Sequence, residues 1–239
     1  MRVNWNYIKI IALLLLVVFL YAFSSTRNLK RTISQPSIKF KGENTLFITH
    51  ETVSKLLIQN KQKVTNVPKE ILDLNGLETA LNSNPMIKHA EVYVAVNGGI
   101  TVDIIQKRPI ARVNTNVSYY IDDQGSIMPL SPNYTARVPL VTGKIKKNKL
   151  NHVFKVAKKV QEDEFLAKHV VEIHQIESND ISLKLRQYDF YVSLGNTQEL
   201  DKKINNLKAF YQKALKDKTL NSYSNVNLRF GNQVVCTKK

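Results

Sequence analysis

The chain has a single cysteine, Cys236, close to its end. One thiol closes no internal disulfide and builds no cysteine cluster, so every domain must be held by packing alone. Cys236 sits in an apolar stretch and reads as a small core residue. Motifs of the Gly-x-Ser-x-Gly, Walker and His-Glu-x-x-His kinds are absent, which removes the commonest hydrolase, nucleotide and zinc-protease readings. Zinc-finger spacing and an aromatic-rich RNA-binding strand are also missing, so nucleic acid is not an expected partner. Five histidines are present, His50, His89, His152, His169 and His174. His169 and His174 lie five apart at a loop-to-strand entry, would point to opposite faces, and read as surface residues. Asp122-Asp123 precede Gln124-Gly125 and read as turn formers, because Asp side chains cap turn backbone. Glu162-Asp163-Glu164 reads as a solvated cluster at a helix end. No catalytic set, cofactor site, metal site or small-molecule substrate is expected, and the chain does not read as an enzyme.

What the sequence has in quantity is positive charge and one long apolar run. Its formal net charge is +16 and its hydrophobic fraction is 43%, enough apolar material for packed cores. Residues 1–31 hold Arg2, Lys9, Arg27, Lys30 and Arg31 and no acid. Such an excess suits a solvated basic face beside an anionic membrane surface. Every residue from Ile10 to Phe23 is apolar or aromatic, and Trp5, Tyr7 and Ile8 extend the run to about one bilayer thickness. Aromatics mark both ends, as membrane interfaces favour. A retained anchor is expected over 8–25, with a short tail at 1–7 and a linker at 26–36. Ala22-Phe23-Ser24 would be the cleavage site of the rival signal peptide. Arg2 and Lys9 precede the apolar run, whereas Arg27, Lys30, Arg31, Lys39 and Lys41 follow it. Charge counting alone would keep the C-terminal side in the cytoplasm.

Beyond the linker, Ile38 and Phe40 alternate with lysines and predict a strand, followed by a turn at Gly42-Glu43-Asn44. Thr49 can cap a helix carrying Val53, Leu56 and Leu57 on one face. A polar loop through Pro68 leads to a second short helix from Asn75 with Leu77 and Leu81 inward. Ala90–Val96 and Ile100–Ile104 alternate around Asn97-Gly98-Gly99, a hairpin signal. The order β-α-α-β-β predicts a small α/β unit over 37–108, closed by Gln106-Lys107-Arg108-Pro109 as a break. Over 109–239 strands dominate. A hairpin is expected at Tyr119–Ile121 and Ile127–Leu130, and a strand at Val138–Thr142. A helix carries Leu150, Val153, Phe154, Ala157 and Val160 at 3–4 spacing. Three antiparallel strands follow at Val170–Ile176, Ile181–Leu185 and Phe190–Leu194, then a helix with Leu200, Ile204, Leu207, Tyr211 and Leu215. Strands at Val226–Phe230 and Gln233–Cys236 close the chain. The fold class is α+β, with one N-terminal membrane helix and a β-rich second domain of antiparallel sheet with flanking helices. A terminal strand in an open sheet leaves backbone groups unpaired, and a partner strand can pair with them.

Several stretches together resemble the bacterial cell-division protein FtsQ (DivIB) family. They are Asn84-Pro85-Met86-Ile87-Lys88-His89-Ala90-Glu91-Val92, Gln106-Lys107-Arg108-Pro109-Ile110-Ala111, Ile121-Asp122-Asp123-Gln124-Gly125, Val138-Pro139-Leu140-Val141-Thr142-Gly143 and Asn225–Phe230 with Gln233-Val234-Val235. The chain departs from the family by a cytoplasmic tail of only a few residues and by Asn227, where an acidic residue is usual. The resemblance implies a POTRA (polypeptide-transport-associated) domain followed by the family's β domain. It implies a single-pass protein of the cytoplasmic (inner) membrane, N-terminus in the cytoplasm, domains in the periplasm, enriched at the division septum. The implied partners are the ectodomains of FtsB and FtsL, and through them the septal peptidoglycan synthase complex. The implied contact is strand addition at Arg229, Phe230, Gly231, Asn232, Gln233, Val234 and Val235, with charged help from Lys203 and Lys208. The alternative expectation is a POTRA-bearing component of a translocation or envelope-assembly system; the chain lacks a β-barrel region of its own.

Overall fold

The computed structural model describes residues 5–29, 36–42, 47–59, 73–95, 99–177, 180–231 and 233–239. The expected turn at Gly42-Glu43-Asn44, the loop through Pro68 and the hairpin turn at Asn97-Gly98 lie wholly or partly outside the described residues. So do the first four residues of the tail, most of the linker, and Asn232. The chain divides into two compact units, Met1–Gln106 and Lys107–Lys239.

The first unit begins with helix α1 (Trp5–Leu29). Its segment Tyr7–Thr26, with mean hydropathy 2.4, is long and apolar enough to cross a membrane. The helix runs on to Leu29, so residues 26–29, expected as linker, are helical instead. The Thr26 hydroxyl donates to Phe23 O at 3.0 Å, which satisfies a polar group inside the helix rather than breaking it.

After α1 come β1 (Ser37–Lys41), α2 (His50–Gln59), α3 (Leu74–Asn82), β2 (Ile87–Val94) and β3 (Ile100–Gln106). The sheet order is β1-β3-β2, with β1 parallel and β2 antiparallel to β3. Thr49 Oγ1 accepts the Thr52 N–H at 3.2 Å and so opens α2. Asp73, not Asn75, caps α3, its Oδ1 accepting Gly76 N–H at 2.9 Å. Val53 and Leu57 of α2 and Leu77 and Leu81 of α3 pack on Ala90, Val92, Ile100, Val102 and Ile104. Gln106 ends β3 as a buried latch: its Oε1 accepts Phe47 N–H at 2.9 Å and Ile48 N–H at 3.3 Å, and its Nε2 donates to Ile48 O at 3.3 Å.

The second unit contains β4 (Pro109–Val113), β5 (Tyr119–Asp122), β6 (Ile127–Met128), β7 (Leu140–Gly143), α4 (Asn151–Glu162), α5 (Glu164–His169), β8 (Val170–Glu177), β9 (Asp180–Leu185), β10 (Tyr191–Gly195), α6 (Leu200–Lys216), a 3-10 turn at Leu220–Ser222, β11 (Tyr223–Asn227) and β12 (Val235–Lys238). Nine strands form one sheet in the order β12-β11-β10-β9-β8-β7-β4-β5-β6. The β8–β9 and β9–β10 pairs are antiparallel as expected. The sheet as a whole is mixed rather than antiparallel, because β4–β7, β7–β8 and β10–β11 pair in parallel. Helices α4 and α5 bridge the β7–β8 crossover and α6 the β10–β11 crossover, whereas β4 and β7 are joined through β5, β6 and the stretch that follows them. One core joins Val153, Val156, Val160, Leu166, Ile204 and Leu207 to the inward strand residues.

Three expectations need correction here. The stretch Gln106–Pro109 falls where the two units divide, but its break is only Lys107-Arg108: Gln106 ends β3 and Pro109 opens β4, a position where its missing N–H interrupts no ladder. Asp163 belongs to no solvated cluster: its Oδ1 accepts Leu166 N–H at 3.2 Å to cap α5, and its Oδ2 accepts Lys208 Nζ. His169 is not a free surface residue. Its ring lies tilted against Phe165 at 4.5 Å and meets Tyr211 edge-on at 5.0 Å, and its Nδ1–H donates to Phe165 O at 2.8 Å. Asp122 does form its turn, Oδ1 accepting Gln124 and Ser126 N–H at 3.0 and 2.7 Å, and it also pairs with Lys107 at 3.0 Å.

Candidate functional site: the terminal sheet edge

Strand β12 lies at one edge of the nine-stranded sheet and, among the described strands, pairs only with β11. Which of its peptide groups face outward follows from the register. Leu228 N–H donates to Ser193 O at 2.9 Å, so the even-numbered residues of this stretch, Val226 included, turn their backbone toward β10. Asn225 and Asn227 therefore turn toward β12, where they meet Thr237 and Val235. Alternation then points the Cys236 N–H and C=O away from β11, into the space where a tenth strand would lie. Toward the chain end the pairing slips between Tyr223 and Asn225, and the Ser224 hydroxyl lies within 3.2 Å of both Thr237 O and Lys238 O. The open main-chain edge is thus centred on Cys236.

Of the other long edges, β2 has the outward amides of Ala90 and Val92 occupied from within. Ala90 N–H donates to Asn82 Oδ1 at 2.9 Å, while Asn82 Nδ2 returns a bond to Ala90 O at 3.3 Å. Val92 N–H donates to Glu78 Oε1 at 2.7 Å. Both caps come from α3, one turn apart, so the helix that packs on β2 also seals it. At the far side of the large sheet, β6 is only two residues long. Strand β1 carries Lys39 and Lys41 along its length, charges that disfavour edge-to-edge pairing.

The side chains around β12 divide by face. Val234 and Cys236 pack against the core, whereas Val235, Thr237 and Lys238 are exposed. Tyr191 of β10 and Val235 stand out to solvent on the face away from the core, 48% and 40% exposed. Burial pushes the Cys236 thiol above its ordinary value, so it stays protonated and is a poor nucleophile.

Of the residues expected to receive a partner, only Val235 lies in the terminal strand. Arg229, Phe230, Gly231, Gln233 and Val234 occupy the connection between β11 and β12, and the closing strands are Tyr223–Asn227 and Val235–Lys238 rather than the positions expected. The shift has a local cause: Asn227 Oδ1 accepts Arg229 N–H at 3.0 Å, and this side-chain turn ends β11 at Asn227. Arg229 pairs with Asp180 at 2.5 Å and lies over Gly195, where an added Cβ would come within 2.7 Å of Arg229 Cγ. Phe230 is half exposed. Lys203 is only 6% exposed, its Nζ donating to Leu194 O, Asn196 O and Asn196 Oδ1 at 2.8–2.9 Å, so it presents no charge to a partner. Desolvation lowers its pKa. Lys208 is held by Asp163. The residues of this edge that the sequence reading did not name as contacts are Cys236, Thr237 and Lys238; the run Val234-Val235-Cys236 followed by Thr237-Lys238 does not alternate, so no pattern marks which peptide faces outward.

Catalytic geometry does not gather at this edge. Among the described residues a hydroxyl–imidazole–carboxylate grouping, Thr142 with His174 at 2.7 Å and Glu172 at 2.5 Å, bridges β7 and β8. Among the described residues no group of three or more His, Cys, Asp or Glu could hold a metal ion.

Residues 108–237 match the family described as FtsQ/DivIB, C-terminal related, and residues 35–105 match the POTRA-like domain. No curated protein matches the chain.

Proposed function

The chain belongs to the FtsQ/DivIB family, and from that premise we propose that it is a membrane-anchored division scaffold that takes up a partner strand at the β12 edge. The family is of a division-related, non-catalytic scaffold type. The observation that carries the reading is the contrast between edges: Asn82 and Glu78 hold the Ala90 and Val92 amides of β2, while among the described strands none pairs with the outward Cys236 peptide of β12. Main-chain bonds to that edge supply affinity, and exposed Val235, Phe230 and Tyr191 supply side-chain contacts. Gln233 and Val234 continue the contact on the approach to the strand. The proposed partners are the ectodomains of FtsB and FtsL, which would link the scaffold to septal peptidoglycan synthesis. The proposed topology places the N-terminus in the cytoplasm and both domains in the periplasm, since large translocated domains follow loop charge only loosely.

The test uses the full chain in nanodiscs and the two partner ectodomains, compared with a chain ending after Val234. Capture by the full chain and its loss on removing β12 are expected. Equal capture by both would sink the strand-addition mechanism. Depletion in cells separates this function from the alternative, a POTRA-bearing part of a translocation or envelope-assembly system: filamentation with blocked septation marks division, export defects mark translocation.

A further inference from the structure

A lysine-walled cavity lies away from the sheet edge. From Lys144 to Lys159 the sequence holds seven lysines and no acid. Three of them, Lys144, Lys146 and Lys149, line a cavity of about 300 Å³ with Gln175 and Glu177. All three are exposed, and among the described residues none of them makes an ion pair. By contrast Lys147 lies over the Tyr119 ring at 5.7 Å and Lys159 pairs with Asp201.

The cavity wall is fixed by backbone that tolerates little change. Gly143 has φ +96°, and a Cβ there would stand 2.2 Å from Gln175 O. Lys144 N–H donates to Gln175 O at 2.9 Å, and Gln175 Nε2 donates back to Lys144 O at 3.1 Å. That second bond identifies which end of the amide is nitrogen. It leaves Gln175 Oε1, on a side chain 3% exposed, buried with no hydrogen-bond partner. A buried acceptor without a donor is costly, about 1–3 kcal/mol; Gln175 also lines the cavity, so a small shift of its amide on ligand entry would let a ligand hydroxyl satisfy it.

Three ammonium groups against one carboxylate leave an excess of positive charge in a space that fits a single small headgroup. We propose that this cavity binds a phosphate ester bearing a neighbouring hydroxyl, the phosphate on Lys144, Lys146 and Lys149 and the hydroxyl toward Gln175. Glycerol phosphate has that chemistry, either as a soluble or polymer-borne group or as the headgroup of phosphatidylglycerol.

The test is lysine footprinting of the full chain in phosphatidylcholine nanodiscs, using an amine-acylating ester read by mass spectrometry at constant ionic strength. Glycerol phosphate is expected to slow acylation of Lys144, Lys146 and Lys149 several-fold while leaving Lys155 and Lys216 unchanged. Methyl phosphate, which has no hydroxyl, is expected to protect less. Phosphatidylglycerol nanodiscs without added phosphate form the second arm: protection there identifies the lipid headgroup as a source, and protection only by soluble glycerol phosphate excludes it. The surface variant K146Q/K149Q should lose protection at Lys144. The proposal is overturned if neither arm protects the three lysines, if Lys155 and Lys216 slow equally, or if Lys144 stays protected in that variant.

Discussion

Replacing Cys236 by proline separates the two sides of the terminal strand. Proline removes one N–H, and at position 236 that N–H is the one directed away from β11. The inward donors belong to Val235 and Thr237 and stay in place. The residue before a proline is driven toward extended conformations, which is what Val235 already adopts as the first residue of β12. Folding stability should therefore change by less than about 1 kcal/mol, most of it from losing the half-buried thiol. Binding should suffer far more. A visiting carbonyl deprived of its donor costs about 1–3 kcal/mol, which is about 5- to 150-fold in Kd. The pyrrolidine ring also projects into the visitor's path. Affinity of full-chain nanodiscs for the FtsB or FtsL ectodomain, measured by interferometry beside thermal melts, is the assay. Cys236→Ala keeps the N–H and should bind within about twofold of the parent, because only packing is altered. Thr237→Pro deletes an inward donor and should weaken both melting and binding. If Cys236→Pro binds as the parent does while melting normally, no strand pairs at this edge.

Three further outcomes follow from single positions. Gly143→Ala puts a Cβ 2.2 Å from Gln175 O at φ +96°, so the thermal midpoint should fall by several degrees, corresponding to roughly 2 kcal/mol or more. Gln106→Met strips partners from Phe47 N–H, Ile48 N–H and Ile48 O; at roughly 3 kcal/mol, amide exchange at residues 47 and 48 should accelerate about 100-fold, while exchange in the Lys107–Lys239 unit stays as it was. Burial alone would raise the Asp163 carboxyl, but Lys208 and the Leu166 N–H outweigh it and hold its pKa below the usual carboxylate range. Its stabilising contribution is then complete above the unfolded carboxylate value of about 4 and is lost as pH falls through the lower folded value. Denaturant melts of Asp163→Asn should show lower stability at neutral pH and a shallower decline below about pH 4. Parallel acid limbs for parent and variant would contradict this.

Patterns of period 2 and 3.6 carried most of the fold. Val53, Leu57, Leu77 and Leu81 are buried as their spacing implies, as are Val92, Val102 and Ile104. Features with no period were not legible. Helix α5 spans only six residues, too few to show a stripe, and its start rests on one Asp163 cap. Parallel pairing of β7 with β4 and β8 joins segments far apart in sequence, and alternation within a strand does not encode its neighbours. Lys203 was misread because a lysine in a lysine-rich helix resembles its solvated neighbours. Its position three after Leu200 and four before Leu207 puts it on the apolar stripe, and that spacing was the missed signal.

The site was half legible for the same physical reason. Sequence pattern shows that a chain ends in a strand; whether an edge is open depends on side chains that reach it from elsewhere. Glu78 and Asn82 are four apart on α3, so they share one helix face, and they meet Val92 and Ala90 across intervals of 14 and 8 residues. Both are ordinary polar residues of a short helix until the packing of Leu77 and Leu81 brings that helix against β2. Beyond β12, the Lys239 N–H folds back onto Ser222 O at 2.9 Å rather than over the edge. If a partner adds as a strand, α3 directs it away from β2, where the Ala90 and Val92 N–H donors and the Ala90 carbonyl are already occupied, and toward the outward Cys236 peptide of β12. On the proposed strand-addition reading, Glu78 and Asn82 would thus contribute to partner choice by barring a competing edge.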